Sequence, residues 1–329
     1  MSTLYVTTQG AVIKKEEHRF TVKKEGKVLI SIPDFRVERI LIYGNVQITT
    51  QALKFAMRND ISVTFLTSRG HLIGTAIPNF SKNIFIRIKQ FEKLQNVNIR
   101  LNLSKEVLIA KITNSIVMLK RYVKNVNSAP LNNITRLKSL INRIRESNSI
   151  KRLRGIEGSA SYIYFSNLRN ILSDLIKFEG RNFHPAKDPF NSLLNFLYSL
   201  LSNEILGIVF NKGLDPYIGF LHELEYGRTS LVFDLMEPLR GPIADAIAVK
   251  LFRKRIIKES DFEKHKIYGF ILKQEVRRVV LNHYEEKMES KFKYEGMTLN
   301  FRKIIIETVN DFSNYLMDRG NFRYFRLKK

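Results

Sequence analysis

The hydrophobic period of this 329-residue chain changes once, near residue 85, and a chain with two periods must build two kinds of architecture. Before that point the apolar residues come in short runs cut by turn formers. Leu4-Tyr5-Val6, Ala11-Val12-Ile13, Phe20-Thr21-Val22, Val28 to Ile32 and Val37 to Tyr43 read as strands, with turns at Gln9-Gly10, Glu25-Gly26 and Gly44-Asn45. Ser62 to Leu66 and Leu72 to Thr75 continue the series around Arg69-Gly70. Thr49 to Asn59 is the exception: Leu53, Phe55-Ala56 and Met57 fall near helical spacing, and Asn59 suits a C-terminal stop. After Phe85 the period is that of helices. Val107, Ile109-Ala110, Ile112, Ile116-Val117 and Leu119 share a stripe, as do Ile134, Leu137, Leu140-Ile141 and Ile144. The same spacing runs through 162–176, 193–209, 242–253 and 297–317, with a loop expected between Asn125 and Asn133. The expected fold class is therefore α+β. A small N-terminal β-sheet domain with one short helix, residues 1–85, precedes a larger all-α domain, residues 86–329.

A formal charge of +24 narrows the partners. So large a surplus repels itself unless a polyanion is the usual companion, and nucleic acid is the commonest one, because phosphate contacts release counterions. Charge alone does not separate DNA from RNA, or an enzyme from a binding module. Cysteine is absent, which excludes disulfides, thiolate zinc sites and cysteine nucleophiles and leaves oxygen and imidazole as the metal ligands on offer. No uninterrupted apolar stretch reaches the roughly 18 to 20 residues of a membrane span, and the first residues lack a secretory pattern. A soluble cytoplasmic protein is expected.

The motifs of several enzyme classes are missing. There is no phosphate-binding G-x-x-x-x-G-K-[ST] loop and no G-x-S-x-G elbow, and His222-Glu223 does not extend to H-E-x-x-H because residue 226 is Tyr. The densest run of polar candidates among apolar neighbours is Gly219-Phe-Leu-His222-Glu, followed by Ser230-Leu-Val-Phe-Asp234-Leu-Met-Glu237-Pro-Leu-Arg240. Asp234 and Glu237 are three residues apart and share one helical face, where two carboxylates repel unless a cation neutralises them. The same pair also suits a helix N-cap with an acid three residues on. His222, leaving the turn after a helix that ends near Phe210, is by itself as well explained as a satisfied, partly buried histidine. Glu157 lies among Gly155, Gly158, Ser159, Ala160 and Ser161, small residues that permit close approach; a first-turn acid facing a helix dipole is the plainer account.

Taken together, three blocks resemble a known family. Glu157-Gly-x-Ala-x-x-x-Tyr-Phe165, then Arg181-Asn-Phe-His-Pro-Ala-Lys-Asp188-Pro-Phe-Asn191-Ser-Leu-Leu-Asn195, then the 219–223 and 230–240 segments are similar to the first CRISPR-associated protein, the adaptation integrase also described as an endonuclease. The order and spacing run over about 85 residues, and Ser192, where alanine is frequent, and Ser159, at a variable position, leave the ligand positions intact.

The resemblance implies that Glu157, His222 and Glu237 bind a divalent ion, with Asp234 supporting the site. Carboxylates and an imidazole without thiolate suit Mg²⁺ or Mn²⁺, the histidine favouring Mn²⁺. It implies joining of a 3′-hydroxyl of a short foreign duplex, the protospacer, to a CRISPR repeat array, with related cleavage of single-stranded, double-stranded or branched DNA. It also implies a prokaryotic homodimer formed through the β domains and docked to a small second CRISPR-associated protein. A general branched-DNA repair nuclease and a non-catalytic DNA-binding subunit are the competing readings. Arg228, Arg240, Arg253, Lys254 and Arg255 are the candidate phosphate contacts, though each alone is as readily a solvated helix face. The tail from Asn321 interleaves aromatic and basic residues and suits either strand-end stacking or a frayed terminus.

Overall fold

A computed structural model describes residues 2–70, 72–78, 83–123 and 131–328, in two compact units, Met1–Lys82 and Asn83–Lys329. The sequence-based boundary at 85/86 falls in the first turn of a helix; the units part three residues earlier.

The first unit holds two four-stranded sheets. Strands β1 (Ser2–Val6), β5 (Val37–Tyr43) and β7 (Ser62–Leu66) run parallel, with β8 (Leu72–Ala76) antiparallel at one edge. The second sheet orders β4 (Lys27–Pro33), β3 (Arg19–Lys24), β2 (Val12–Glu16) and the short β6 (Gln47–Ile48). Parallel neighbours need a crossover, and α1 (Thr50–Arg58) supplies it between β5 and β7. Thr49 caps α1 by accepting from the Ala52 amide at 3.2 Å. Glu25 and Gly26 both have positive φ, the two-residue turn that suits the twist of the β3–β4 hairpin. Ile13, Phe20, Ile40, Ala52, Ala56 and Val63 form the dry centre of this unit.

The second unit is mostly helical: α2 (Ile84–Gln95), α3 (Val97–Val123), α4 (Leu131–Arg145), α5 (Ile150–Leu172), α6 (Pro189–Asn211), α7 (Ser230–Arg240), α8 (Ala246–Arg253), α9 (Gln274–Glu289) and α10 (Phe301–Leu316). It also carries two hairpins that the all-α expectation lacked, β9 (Phe262–His265) with β10 (Gly269–Leu272) and β11 (Lys291–Tyr294) with β12 (Met297–Asn300). Both consist of four-residue strands, too short to print a period of two on the sequence. The loop expected at Asn125 to Asn133 lies outside the described residues up to 130, and its last three residues open α4. Helix α6 is apolar enough to cross a membrane by length and composition, but 67% of its most apolar window is buried in the protein, so it reads as a core helix.

Two prolines four residues apart shape the helix that carries the acids. Pro238 sits inside α7, and Pro242 has no N–H to give the Pro238 carbonyl. Asn114 Nδ2 of α3 donates to that carbonyl instead, at 2.7 Å. Residues Gly241–Asp245 then widen into a π-turn, with the Ala246 amide reaching the Gly241 carbonyl, before α8 resumes. Such turns recur at functional sites. Asn114 also holds the C-terminal tail: its Nδ2 donates to the Phe325 carbonyl at 3.0 Å and its Oδ1 accepts from the Leu327 amide at 2.7 Å. Phe325 is buried and Tyr324 donates to the Leu103 carbonyl. The tail is thus neither frayed nor a free stacking surface, because its aromatics are spent on packing.

Candidate metal centre

Three helices and one loop of the second unit converge on the predicted residues. Asp234 is in the second turn of α7 with no exposed surface, not at the helix cap, which excludes the capping account. Its Oδ2 accepts from the amides of Phe220 at 2.6 Å and Leu221 at 2.9 Å, and its Oδ1 from the His222 amide at 3.1 Å. Oδ1 also receives His222 Nδ1 at 2.5 Å. A carboxylate that is already an acceptor makes Nδ1 the protonated nitrogen, so Nε2 presents its lone pair. That nitrogen faces Glu237 Oε1 at 4.0 Å. One side chain therefore shapes the loop, chooses the tautomer and aims the imidazole.

The local sequence makes this wrapping feasible. A Cβ on Gly219 would stand 2.5 Å from Asp234 Oδ2 and 2.8 Å from the Ser230 backbone, so only glycine lets the loop lie on α7. Ser104 Oγ of α3 donates to the Phe220 carbonyl at 3.0 Å, and Ser230 Oγ to the Glu223 carbonyl at 2.8 Å, pinning the loop from both sides.

Glu157 lies in the third turn of α5, which begins at Ile150, so it is not a first-turn acid. Ser161, one turn on, donates its hydroxyl to Glu157 Oε1 at 2.8 Å. Glu237 follows Asp234 by three residues and points to the same side of α7, toward His222 and Glu157.

The sequence reading missed the residue between the two acids. Lys111 of α3 pairs closely with Glu157 Oε1 and reaches Glu237 Oε2 at 2.7 Å. Its signal was present: a single lysine inside the apolar stripe from Val107 to Leu119, three residues before the buried Asn114 that meets the next residue of α7. Arg240 adds a second cation, 3.0 Å from Glu237 Oε1, with its guanidinium 4.9 Å over the Tyr198 ring. Burial would push the Glu237 carboxyl up, but Arg240, Lys111 and His222 outweigh it and bring it down to about 2. Burial likewise opposes the Glu157 anion, and Lys111 more than offsets it, so this carboxyl is also lowered. For Lys111 itself burial is the largest influence and disfavours the ammonium; Glu237 and Glu157 overcome it and raise its pKa. Both acids are anions, and the lysine between them is a cation.

Among the described residues no group of three His, Asp or Glu side chains is drawn close enough to cage an ion, because the ammonium stands where they would meet. The donor set nevertheless fits a hard divalent cation: two carboxylates and the imidazole Nε2 that faces one of them. Glu237 Oε2 is buried and makes no well-aligned hydrogen bond despite the nearby ammonium. An acceptor in that state suits a ligand.

The candidate DNA contacts divide. Arg240 turns inward to Glu237 rather than outward. Arg228 pairs with Glu225 at 2.9 Å on the loop after His222. Arg253 ends α8 and donates to the Tyr122 carbonyl at 3.2 Å, while Lys254 and Arg255 are exposed just beyond it.

The family model described as CRISPR associated protein Cas1 matches residues 4–286. The chain belongs to that family. It is 31% identical over 311 residues to the CRISPR-associated endonuclease Cas1 3 of Thermus thermophilus, covering 93% of this chain and 91% of that one. The family fold is shared with a casposase bound to its integration product, at a TM-score of 0.83 and 23% identity over 98% of this chain and 93% of that one. A Cas6-RT-Cas1–Cas2 complex contains a similar body, at a TM-score of 0.84 and 20% identity; the match covers all of this Cas1 family member and 36% of that longer chain.

Proposed function

We propose that this chain is a divalent-metal-dependent DNA integrase and endonuclease of CRISPR adaptation, joining the 3′-hydroxyl of a short foreign duplex to the repeat array. One observation carries the reading. Asp234 accepts hydrogen bonds from His222 Nδ1 and from three loop amides at once, turning Nε2 toward Glu237, which shares the Lys111 ammonium with Glu157. That is the arrangement of a metal ligand with its orienting carboxylate. Glu157, His222 and Glu237 would hold Mg²⁺ or Mn²⁺, and the ion would supply polarisation of the target phosphate and charge stabilisation on the attacking or leaving oxygen.

The remaining work falls to the chain. Asp234 holds the imidazole by Nδ1 and aims it; Ser161 keeps Glu157 turned inward. Arg240, fixed between Glu237 and Tyr198, holds positive charge beside the reacting phosphate without leaving its carboxylate. The endonuclease relatives and the casposase neighbour support DNA as substrate and strand joining as the reaction. The Cas1–Cas2 neighbour supports a small second CRISPR-associated protein as partner. A homodimer through the β unit is supported by edge strand β4, whose Val28, Leu29 and Ile30 are exposed.

The test is strand transfer on a supercoiled repeat plasmid with Mn²⁺ or Mg²⁺, comparing wild type with His222→Ala and Glu157→Gln. Joining should fall by about 100-fold or more in both, above the range expected for outer partners of a metal ligand. Equal joining by all three proteins would overturn the reading.

A further inference from the structure

Lys111 is the one member of the cluster that the proposed chemistry does not use. Its ammonium bridges the same two carboxylates that a divalent ion would take, Glu157 through Oε1 and Glu237 through Oε2. A divalent ion held by Glu157 and Glu237 would need the carboxylate oxygens that the ammonium now occupies. One cation must yield to the other. Arg240 is not the one that moves: of the two acids it pairs with Glu237 alone, its guanidinium lies over Tyr198, and it is half-buried on the helix that carries Glu237. Lys111 has a flexible four-carbon stem and a compact charge, and it enters from a different helix, α3. Displaced, it remains tethered beside the site and needs a new counter-charge. The anion that reaches this place during the proposed reaction is a DNA phosphate.

We propose that Lys111 is a tethered competitor for the divalent ion, drawn off by a DNA phosphate, so that metal and DNA bind this chain cooperatively. The inference rests on the metal reading above. Without DNA the ammonium holds the acids together and keeps metal affinity low, which limits cleavage by unengaged protein. With DNA the phosphate takes the lysine and the carboxylates are released to the ion. Because coupling between two ligands is reciprocal, metal tightens DNA binding by the same factor.

The experiment counts free Mn²⁺ by electron paramagnetic resonance for wild type, Lys111→Met, Lys111→Gln and Lys111→Arg, each with and without a blunt DNA duplex. Wild type and Lys111→Arg should bind Mn²⁺ weakly alone and about tenfold or more tightly with duplex, within the usual range of allosteric couplings. Lys111→Met should bind tightly without DNA and gain less than about twofold from it. Lys111→Gln carries the same expectation, and thermal melting of each variant with and without Mn²⁺ identifies any that does not fold. Equal affinities for wild type and the two neutral variants, or an undiminished DNA effect in those variants, overturn the role of Lys111 alone. No Mn²⁺ uptake by any protein, with or without duplex, overturns the metal reading and this inference with it.

Discussion

Two ionic clusters among the described residues of the second unit differ in how completely they are satisfied. In one, Arg302 of α10 donates Nε to Glu204 at 2.9 Å, Nη2 to both oxygens of Glu285 at 2.9 and 3.0 Å, and Nη1 to Glu289. Tyr284 donates to the second oxygen of Glu204 at 3.0 Å, and Asn300 to the second of Glu289 at 2.8 Å. By charge this cluster, three acids around one base, looks the better cation site. By geometry it is closed, since the guanidinium fork fills it. In the other cluster the charges come closer to balance, yet Glu237 Oε2 and Arg240 Nε are buried without a hydrogen bond. A count of acids therefore does not separate the two clusters; their hydrogen bonding does. The first cluster ties α6, α9 and α10 together, and the second keeps a buried acceptor without a well-aligned donor.

Breaking each cluster should therefore fail in a different observable. Arg302→Met strands three carboxylates around a buried position and should cost about 3–5 kcal/mol of unfolding free energy, read by denaturant melts. Mn²⁺ affinity of the surviving folded protein should be unchanged. A variant as stable as wild type would show that the fork is ornamental. Asp234→Asn tests the other side. An amide in place of the carboxylate meets the same three loop amides and His222 Nδ1 with one donor end of its own. The imidazole loses its fixed tautomer, and Mn²⁺ affinity and strand joining should fall by about 10–100-fold. Glu285→Gln, in the closed cluster, should leave both quantities alone. If Asp234→Asn joined DNA as fast as wild type, the second cluster would not be oriented through this carboxylate.

The difference between these clusters also marks what the sequence could tell. The strands from Leu4 to Thr75 and the helix from Thr49 to Asn59 were legible because one buried face imposes a period of two or 3.6 on consecutive residues. Glu157, His222, Asp234 and Glu237 were legible as a set through the resemblance of their blocks, and the structure brings them together. Lys111 was legible only as a lone lysine in an apolar stripe; its partners, 46 and 126 positions away, are carried by no local pattern. Arg240 differs: its charge pointed to phosphate, while the structure pairs it with Glu237, one turn back on its own helix. The tail misled differently. Its alternating aromatic and basic residues are equally the pattern of an extended segment with one buried face, and Phe325 occupies that face. Helix α9 carried a readable stripe, Val280, Leu281, Tyr284 and Met288, under a heavy load of charge.

A third charged position sharpens the contrast with the smallest expected effect. The Lys287 ammonium of α9 lies 4.5 Å over the Phe301 ring, and burial, with Arg121 and Lys250 nearby, presses its pKa from 10.5 down to about 8. This is charge held against its preference, neither forked like Arg302 nor shared like Lys111. Between about pH 8 and 10.5 the unfolded chain holds this proton and the folded one has released it, so this group adds stability as pH rises through that window. Below pH 8 both states are protonated and the penalty on the folded state is full. Lys287→Met should therefore stabilise the protein at pH 7 by on the order of 1 kcal/mol, allowing for part exposure to solvent. The gain over wild type should shrink as pH approaches 10. Urea melts of both proteins at pH 7 and pH 10 measure it. A gain independent of pH would assign the effect to packing against Phe301, and a loss at pH 7 would mean that the cation over the ring is worth more than its burial costs.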